Sequence, residues 1–199
     1  SRYVSKEFYD CFVLECRAMK RVRDDMGLTN VELMVPFVRT VGEGKRVVEL
    51  LAENGLARGA NGLRVIMMCE LPTNALLADA YLEHFDGFSI GSNDLTQLTL
   101  GVDRDSELVA FDFDERDAGV KALIRQTVDG ARRNQRHSGI CGQAPSDYPE
   151  MVEYLVELGI GSISVTPDTL LQVTRNVLAV EQRLGRAGAR VREGPGVDP

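Results

Sequence analysis

The chain has 199 residues, 44% of them hydrophobic and 27% charged, and a net charge of −7. That apolar content supports a sizeable core and excludes a disordered chain, while the acidic balance argues against nucleic acid or an anionic membrane surface as partner. No apolar stretch reaches the ~20 residues of a membrane span, and Ser1-Arg2-Tyr3-Val4 is no signal peptide, so a cytoplasmic protein is expected. Cys11, Cys16, Cys69 and Cys141 have neither a CxxC nor a zinc-ribbon spacing and are read as reduced thiols.

The first predicted element is a helix. Phe8, Phe12, Leu14, Cys16, Met19 and Val22 recur mostly at helical spacing, and Lys20, Arg21 and Arg23 put positive charge in the last turn before Gly27. Five strands are predicted next, at 31–38, 63–70, 87–90, 137–141 and 161–165. Helices fill the gaps and the end, at 41–54, 74–84, 119–134, 148–157 and 169–184. Such alternation predicts a parallel sheet with right-handed crossovers. A closed barrel of this kind needs eight strands and typically ~250 residues. The expected fold is therefore α/β, a partial (β/α)8 TIM barrel of about five parallel strands with flanking helices, lacking the first strands. Residues 1–184 are assigned to this domain, and the Gly-, Arg-, Pro- and Ala-rich stretch 185–199 is expected to be a disordered tail.

Chemistry concentrates where the strands end. The apolar run Leu63-Arg64-Val65-Ile66-Met67-Met68-Cys69 stops at Glu70, and Gly87-Phe88-Ser89-Ile90 opens into Gly91-Ser92-Asn93-Asp94. In parallel α/β architectures that edge binds ligands and metals. Glu70 and Asp94 are hard oxygen donors of the type that holds Mg2+ or Mn2+, too few to form a cage and so leaving positions for substrate oxygens. The plainer alternative is that Glu70 caps the next helix and Asp94 closes a turn. Cys141, in Gly139-Ile140-Cys141-Gly142-Gln143, can carry a proton to or from a substrate carbon, or be a small buried hydrophobe. Arg104 can grip a phosphoryl group or carboxylate, or pair with Asp103, Asp105 or Glu107. Arg39 faces the same rim or is a solvated side chain starting a helix. His84 and His137, away from the acid-bearing ends, are read as structural, and no P-loop or GxGxxG fingerprint is present.

These segments, with Val35-Pro36-Phe37-Val38-Arg39-Thr40 before them and Leu95-Thr96-Gln97-Leu98-Thr99-Leu100-Gly101-Val102-Asp103-Arg104-Asp105 between them, resemble the C-terminal barrel of the PEP-utilising enzyme family. That barrel is shared by phosphoenolpyruvate synthases, pyruvate phosphate dikinase and the first enzyme of the bacterial sugar phosphotransferase system. The likeness runs from Ser1 to about Gln182, and Met68-Cys69-Glu70 combined with Gly91-Ser92-Asn93-Asp94 favours the synthases. The resemblance implies that Glu70 and Asp94 hold the divalent cation and that Cys141 is acid and base at C3 of pyruvate. It also implies that Asn93 and Arg104 bind the phosphoryl group of phosphoenolpyruvate, with Gly142 and Gln143 shaping the pocket. The family reaction converts pyruvate, ATP and water into phosphoenolpyruvate, AMP and phosphate through a phosphohistidine. Its ATP-binding and phosphohistidine domains are not found in this sequence and would be partners of this piece, together with a second copy in a homodimer. Thr166 stands where the family usually has asparagine. Two other readings remain: a Mg2+-dependent aldolase or lyase acting through a pyruvate enolate, which needs neither Arg104 nor Cys141, and a noncatalytic dimerisation module with two open sheet edges.

Overall fold

A computed structural model describes residues 4–185. Apart from Gly185, the predicted tail lies outside the described residues. Helix α1 (Tyr9–Lys20) runs into a π-helical turn at Arg21–Asp25. Arg23 in that turn is buried and donates to the carbonyls of Thr29 (2.6 Å), Val31 and Asn61 (2.7 Å), so a charged side chain fixes the approach to the sheet.

The sheet has five parallel strands in sequence order: β1 (Leu33–Val35), β2 (Val65–Cys69), β3 (Gly87–Gly91), β4 (His137–Cys141) and β5 (Ser162–Ile163). Between them lie α2 (Val41–Glu53), α3 (Pro72–Leu76), α4 (Ala78–Leu82), α5 (Ser92–Leu100), α6 (Ala118–Arg133), α7 (Ala144–Asp147) and α8 (Pro149–Leu158), and α9 (Leu170–Arg183) follows the last strand. Among the described residues β1 and β5 are edges and the sheet does not close, so the fold is the expected partial barrel.

The expected strands exist, but the outer two are shorter than the apolar runs suggest. Pairing for β1 covers only Leu33–Val35, because Pro36 has no amide hydrogen to continue the ladder. The helix expected at 74–84 starts earlier, with Pro72 in its first turn, and breaks at Leu77, whose backbone leaves the helical region (φ −112°, ψ 31°). Where the sequence predicts a strand opening into a polar end, helix α5 begins directly after Gly91.

Side chains alternate between the two faces of the sheet. Val65, Met67, Cys69, Phe88, Ile90 and Ile140 are buried in the main core, which also takes in Val120, Ile124 and Val128 from α6. Burial holds the Cys69 thiol protonated, its pKa pushed up to about 12, which assigns it to packing. The other face carries Met68, Ser89 and Cys141, all only half-buried. That face leads to the rim where the candidate site lies.

Candidate active site

Register alone brings the predicted residues together. Cys69 pairs with Ile90, and Gly91 pairs with Cys141, so Glu70, Gly91 and Cys141 stand at one level on neighbouring strand ends. A Cβ on Gly91 would lie 3.1 Å from both Cβ and Oε2 of Glu70 and 3.2 Å from Cε of Met68. A glycine there lets the Glu70 carboxylate lie across β3.

Glu70 is 2% exposed. Its Oε1 accepts the Phe37 amide hydrogen at 2.6 Å. Phe37 has φ +54°, a left-handed conformation unusual for a residue of its bulk, and it aims its amide at the acid. Burial raises the Glu70 pKa, and the charge of Asp94 raises it further, against the stabilising Phe37 hydrogen bond. Glu70 does not cap the next helix. Asn74 does so, its Oδ1 accepting from the amides of Glu70 (3.2 Å) and Leu71 (3.0 Å) while its amide donates to Val38 O at 2.8 Å. The acid is thus left without a capping role.

Asp94 lies in the first turn of α5, and its Oδ1 is 4.0 Å from Nη2 of Arg104. Among the described residues this is the ion pair of Arg104; none forms with Asp103, Asp105 or Glu107. The Arg104 amide donates to Oε1 of Gln97 at 3.2 Å, while its Nη1 is buried without a hydrogen-bond partner among the described residues. Asn93, Arg104, Asp105, Phe113 and Gln143 line a hollow of about 440 Å3. Oδ1 of Asn93 accepts the Gln143 amide at 3.4 Å, which joins α5 to the turn after β4.

Cys141 is half-buried, with Ser89 Oγ 3.4 Å from its Sγ, and Ser92 Oγ donates to its carbonyl at 3.3 Å. Gly142 follows with φ +110°, and a Cβ there would fall on the Ser92 hydroxyl and lie 3.3 Å from Asn93 Oδ1. Only glycine allows this turn to close on α5. Arg39 is exposed on the loop after β1. Its Nη1 donates to Phe37 O at 3.4 Å, and its guanidinium lies 5.6 Å from the centre of the Phe37 ring. Thr166, beyond β5, donates its amide to Ser146 Oγ at 3.0 Å.

No group of three or more His, Cys, Asp or Glu side chains able to hold a metal occurs among the described residues. The pair Glu70 and Asp94 nonetheless fits a hard divalent cation: two close carboxylates, one of them buried, repel each other unless positive charge lies between them. Two residues escaped the sequence reading. Glu115, in the turn before α6, is 3% exposed, and Ser92 is fully buried.

Residues 2–182 match the profile of the PEP-utilising enzyme, PEP-binding domain. The chain belongs to the PEP-utilising enzyme family. Its relatives within that family include the phosphoenolpyruvate synthase of Pseudomonas aeruginosa, 64% identical over 86% of this chain and 22% of the relative. The phosphoenolpyruvate synthase of Synechocystis is 57% identical over 93% of this chain and 23% of the relative. A probable phosphoenolpyruvate synthase of Staphylothermus marinus is 50% identical over 92% and 22%. This family member therefore spans about a fifth of the length of the curated relatives it matches. In fold it is similar to an HpcH/HpaI aldolase/citrate lyase family protein from Burkholderia cenocepacia, with TM-score 0.53, 20% identity, and coverage of 84% of this chain and 70% of the other. An HpcH/HpaI aldolase from Desulfitobacterium hafniense gives TM-score 0.52 at 16% identity, over 92% and 71%. At such identities the likeness concerns the barrel architecture alone.

Proposed function

We propose that this chain supplies the cation- and enolate-binding part of a phosphoenolpyruvate synthase, a phosphotransferase acting on pyruvate. The observation that carries the reading is the buried Glu70 beside Asp94, on the rim that also presents Cys141 and Arg104. The names of the relatives support it. Glu70 and Asp94 hold Mg2+ or Mn2+ through their carboxylate oxygens. The cation supplies positive charge where the oxygens of pyruvate become negative as C3 loses a proton. Cys141 Sγ takes that proton and returns it. Arg104 and Asn93 bind the phosphoryl group of phosphoenolpyruvate, Gly142 and Gln143 close the pocket beside it, and Arg39 adds a cation at the rim.

The whole reaction, from pyruvate, ATP and water to phosphoenolpyruvate, AMP and phosphate, also needs ATP-binding and phosphohistidine domains, so this chain alone does not complete it. A cytoplasmic setting and pairing with a second copy belong to the same proposal. The test is calorimetric binding of oxalate, a mimic of the pyruvate enolate, with and without Mg2+, to the wild-type chain and to Asp94→Ala. Mg2+-dependent binding that disappears in the variant is the expected result. A folded wild-type chain that binds no oxalate overturns the reading and favours the noncatalytic dimerisation module.

A further inference from the structure

Asn74, in α3, is a fully buried polar side chain to which the proposed chemistry assigns no task. It meets three backbone groups. Its Oδ1 accepts the amide hydrogens of Glu70 at 3.2 Å and Leu71 at 3.0 Å, and its Nδ2 donates to the Val38 carbonyl at 2.8 Å. Two donors and one acceptor fix which end of the side-chain amide is oxygen, and asparagine carries both functions on one short stem.

These bonds do more than cap a helix. The two to the oxygen are local, four and three residues back along the chain. The one from the nitrogen crosses 36 residues to the loop after β1. In that loop Phe37, next to Val38, gives its amide hydrogen to Oε1 of Glu70 at 2.6 Å while holding φ +54°. The contacts close a ring: Asn74 to the Glu70 amide, the Glu70 carboxylate to Phe37, and Val38 back to Asn74. Glu70 is 2% exposed, Val38 1% and Asn74 0%, so water does not readily replace a lost bond.

We infer that Asn74 is a positioning residue for the cation-binding acid, fixing the Glu70 backbone through its oxygen and the Glu70 carboxylate through Val38 and Phe37. The inference rests on the proposed assignment of Glu70 to the cation and deepens it. Phe37 follows an edge strand and sits in a left-handed conformation that is costly for a bulky residue. The tie at Val38 opposes relaxation of that backbone. Cutting it lets Phe37 return toward negative φ, which swings its amide away from Oε1 and leaves the carboxylate free to turn.

The experiment takes two readouts on the wild type, Asn74→Ala and Asn74→Asp near neutral pH. Ionised aspartate keeps an oxygen for the two local amides but has no hydrogen for Val38, so it preserves the cap and removes only the cross-link. The first readout is exchange of the Phe37 amide hydrogen, followed by NMR in chelator and compared with that of Ile124, buried in α6. Both variants should lose about tenfold of the protection at Phe37 and keep it at Ile124. The second is calorimetric binding of oxalate with Mg2+, which should weaken about tenfold in both, the scale on which partners of metal ligands act. The added carboxylate of Asn74→Asp attracts a cation, so weaker binding there is not a charge effect. If Asn74→Ala does not fold, Asn74→Asp decides by the same readouts. Equal losses of protection at Phe37 and Ile124, the mark of a merely structural residue, overturn the inference, as does oxalate binding unchanged in a folded variant. A wild type that binds no oxalate with Mg2+ overturns the assignment of Glu70 to a cation, and the role of Asn74 with it.

Discussion

Replacing Glu70 by Gln should make the protein more stable and less able to bind a cation. The side chain is buried, so its ionised form lacks hydration, and the charge of Asp94 adds repulsion. Glutamine keeps an oxygen to accept the Phe37 amide, now at 2.6 Å, and offers Asp94 a donor in place of a like charge. Relief of this kind at a functional site typically yields about 1 kcal/mol. For a domain of this size that corresponds to a rise in Tm of about 2–4 °C. The sign with pH follows from the raised pKa. Below the ordinary carboxylate value of 4.5 Glu70 is protonated in both folded and unfolded chains, and the variant has no advantage. The wild type loses stability as pH rises through the folded pKa, so the advantage of the variant grows there and levels off above it. Thermal unfolding over a pH series in chelator reads this out, alongside Mg2+-dependent oxalate binding near neutrality, which the variant should lack. A variant that is destabilised by more than about 1 kcal/mol, or that still binds Mg2+ and oxalate, refutes the reasoning.

Cys141→Ala should retain Mg2+-dependent oxalate binding, because among the described residues the thiol's hydrogen-bond partner is the Ser89 hydroxyl and not either acid, yet abolish exchange of deuterium into C3 of pyruvate in a full-length synthase that carries this domain; unchanged exchange by NMR removes the thiol from proton transfer. His137, whose Nε2 lies 3.0 Å from Ser162 Oγ, has its pKa lowered by partial burial and the charge of Arg64, against the opposing pull of Glu32. Its contribution to stability is present above the ordinary value of 6.5 and fades as pH falls, so His137→Asn should flatten the acid limb of the Tm curve, and parallel curves would count against it. Gly130→Ala would place a Cβ 2.6 Å from that of Ala78. The resulting strain between α6 and α4, about 1–3 kcal/mol, exceeds the roughly 1 kcal/mol gained in helix propensity, so denaturant unfolding should show a net loss.

The strand ends were legible because an apolar run ending in an acid carries its own punctuation. Glu70 closes such a run, Asp94 follows the end of β3 by three residues and Cys141 ends β4, and parallel register then brings those ends to one rim. Helix α5 was not legible, since its start, Ser92-Asn93-Asp94, reads equally well as a polar loop. The break at Leu77 was hidden too, because the helical spacing continues across it. Glu115 is the deepest miss. In Asp112-Phe113-Asp114-Glu115-Arg116 it looks like one charge among several on a solvated turn. Its neighbours Asp114 and Arg116 are indeed exposed and paired with each other at 2.8 Å. It is nonetheless 3% exposed, and the segments that bear on its charge, at Ser92, Arg104 and Ala144, come together only once β3 and β4 are side by side.

The distribution of local costs also bears on the choice between an enzyme part and an assembly module. On the helix-facing side of the sheet the core is apolar, and its buried polar groups are few. On the rim, Phe37 takes positive φ, Glu70 and Glu115 are buried acids, and Arg104 Nη1 lacks a partner among the described residues. Each of these costs roughly 1–3 kcal/mol or requires compensation from its surroundings. A surface that served association alone would be served best by apolar area along the open edges at β1 and β5, and would gain nothing from such a concentration at the ends of β2, β3 and β4. A cation between Glu70 and Asp94 and an anion against Arg104 would relieve the electrostatic costs together. That relief predicts mutual reinforcement: Mg2+ should tighten phosphoenolpyruvate binding, and phosphoenolpyruvate should tighten Mg2+ binding by the same factor. Titrating each ligand in the presence and absence of the other measures both factors, and a factor of one in either direction would mean that the two halves of the rim do not form one site.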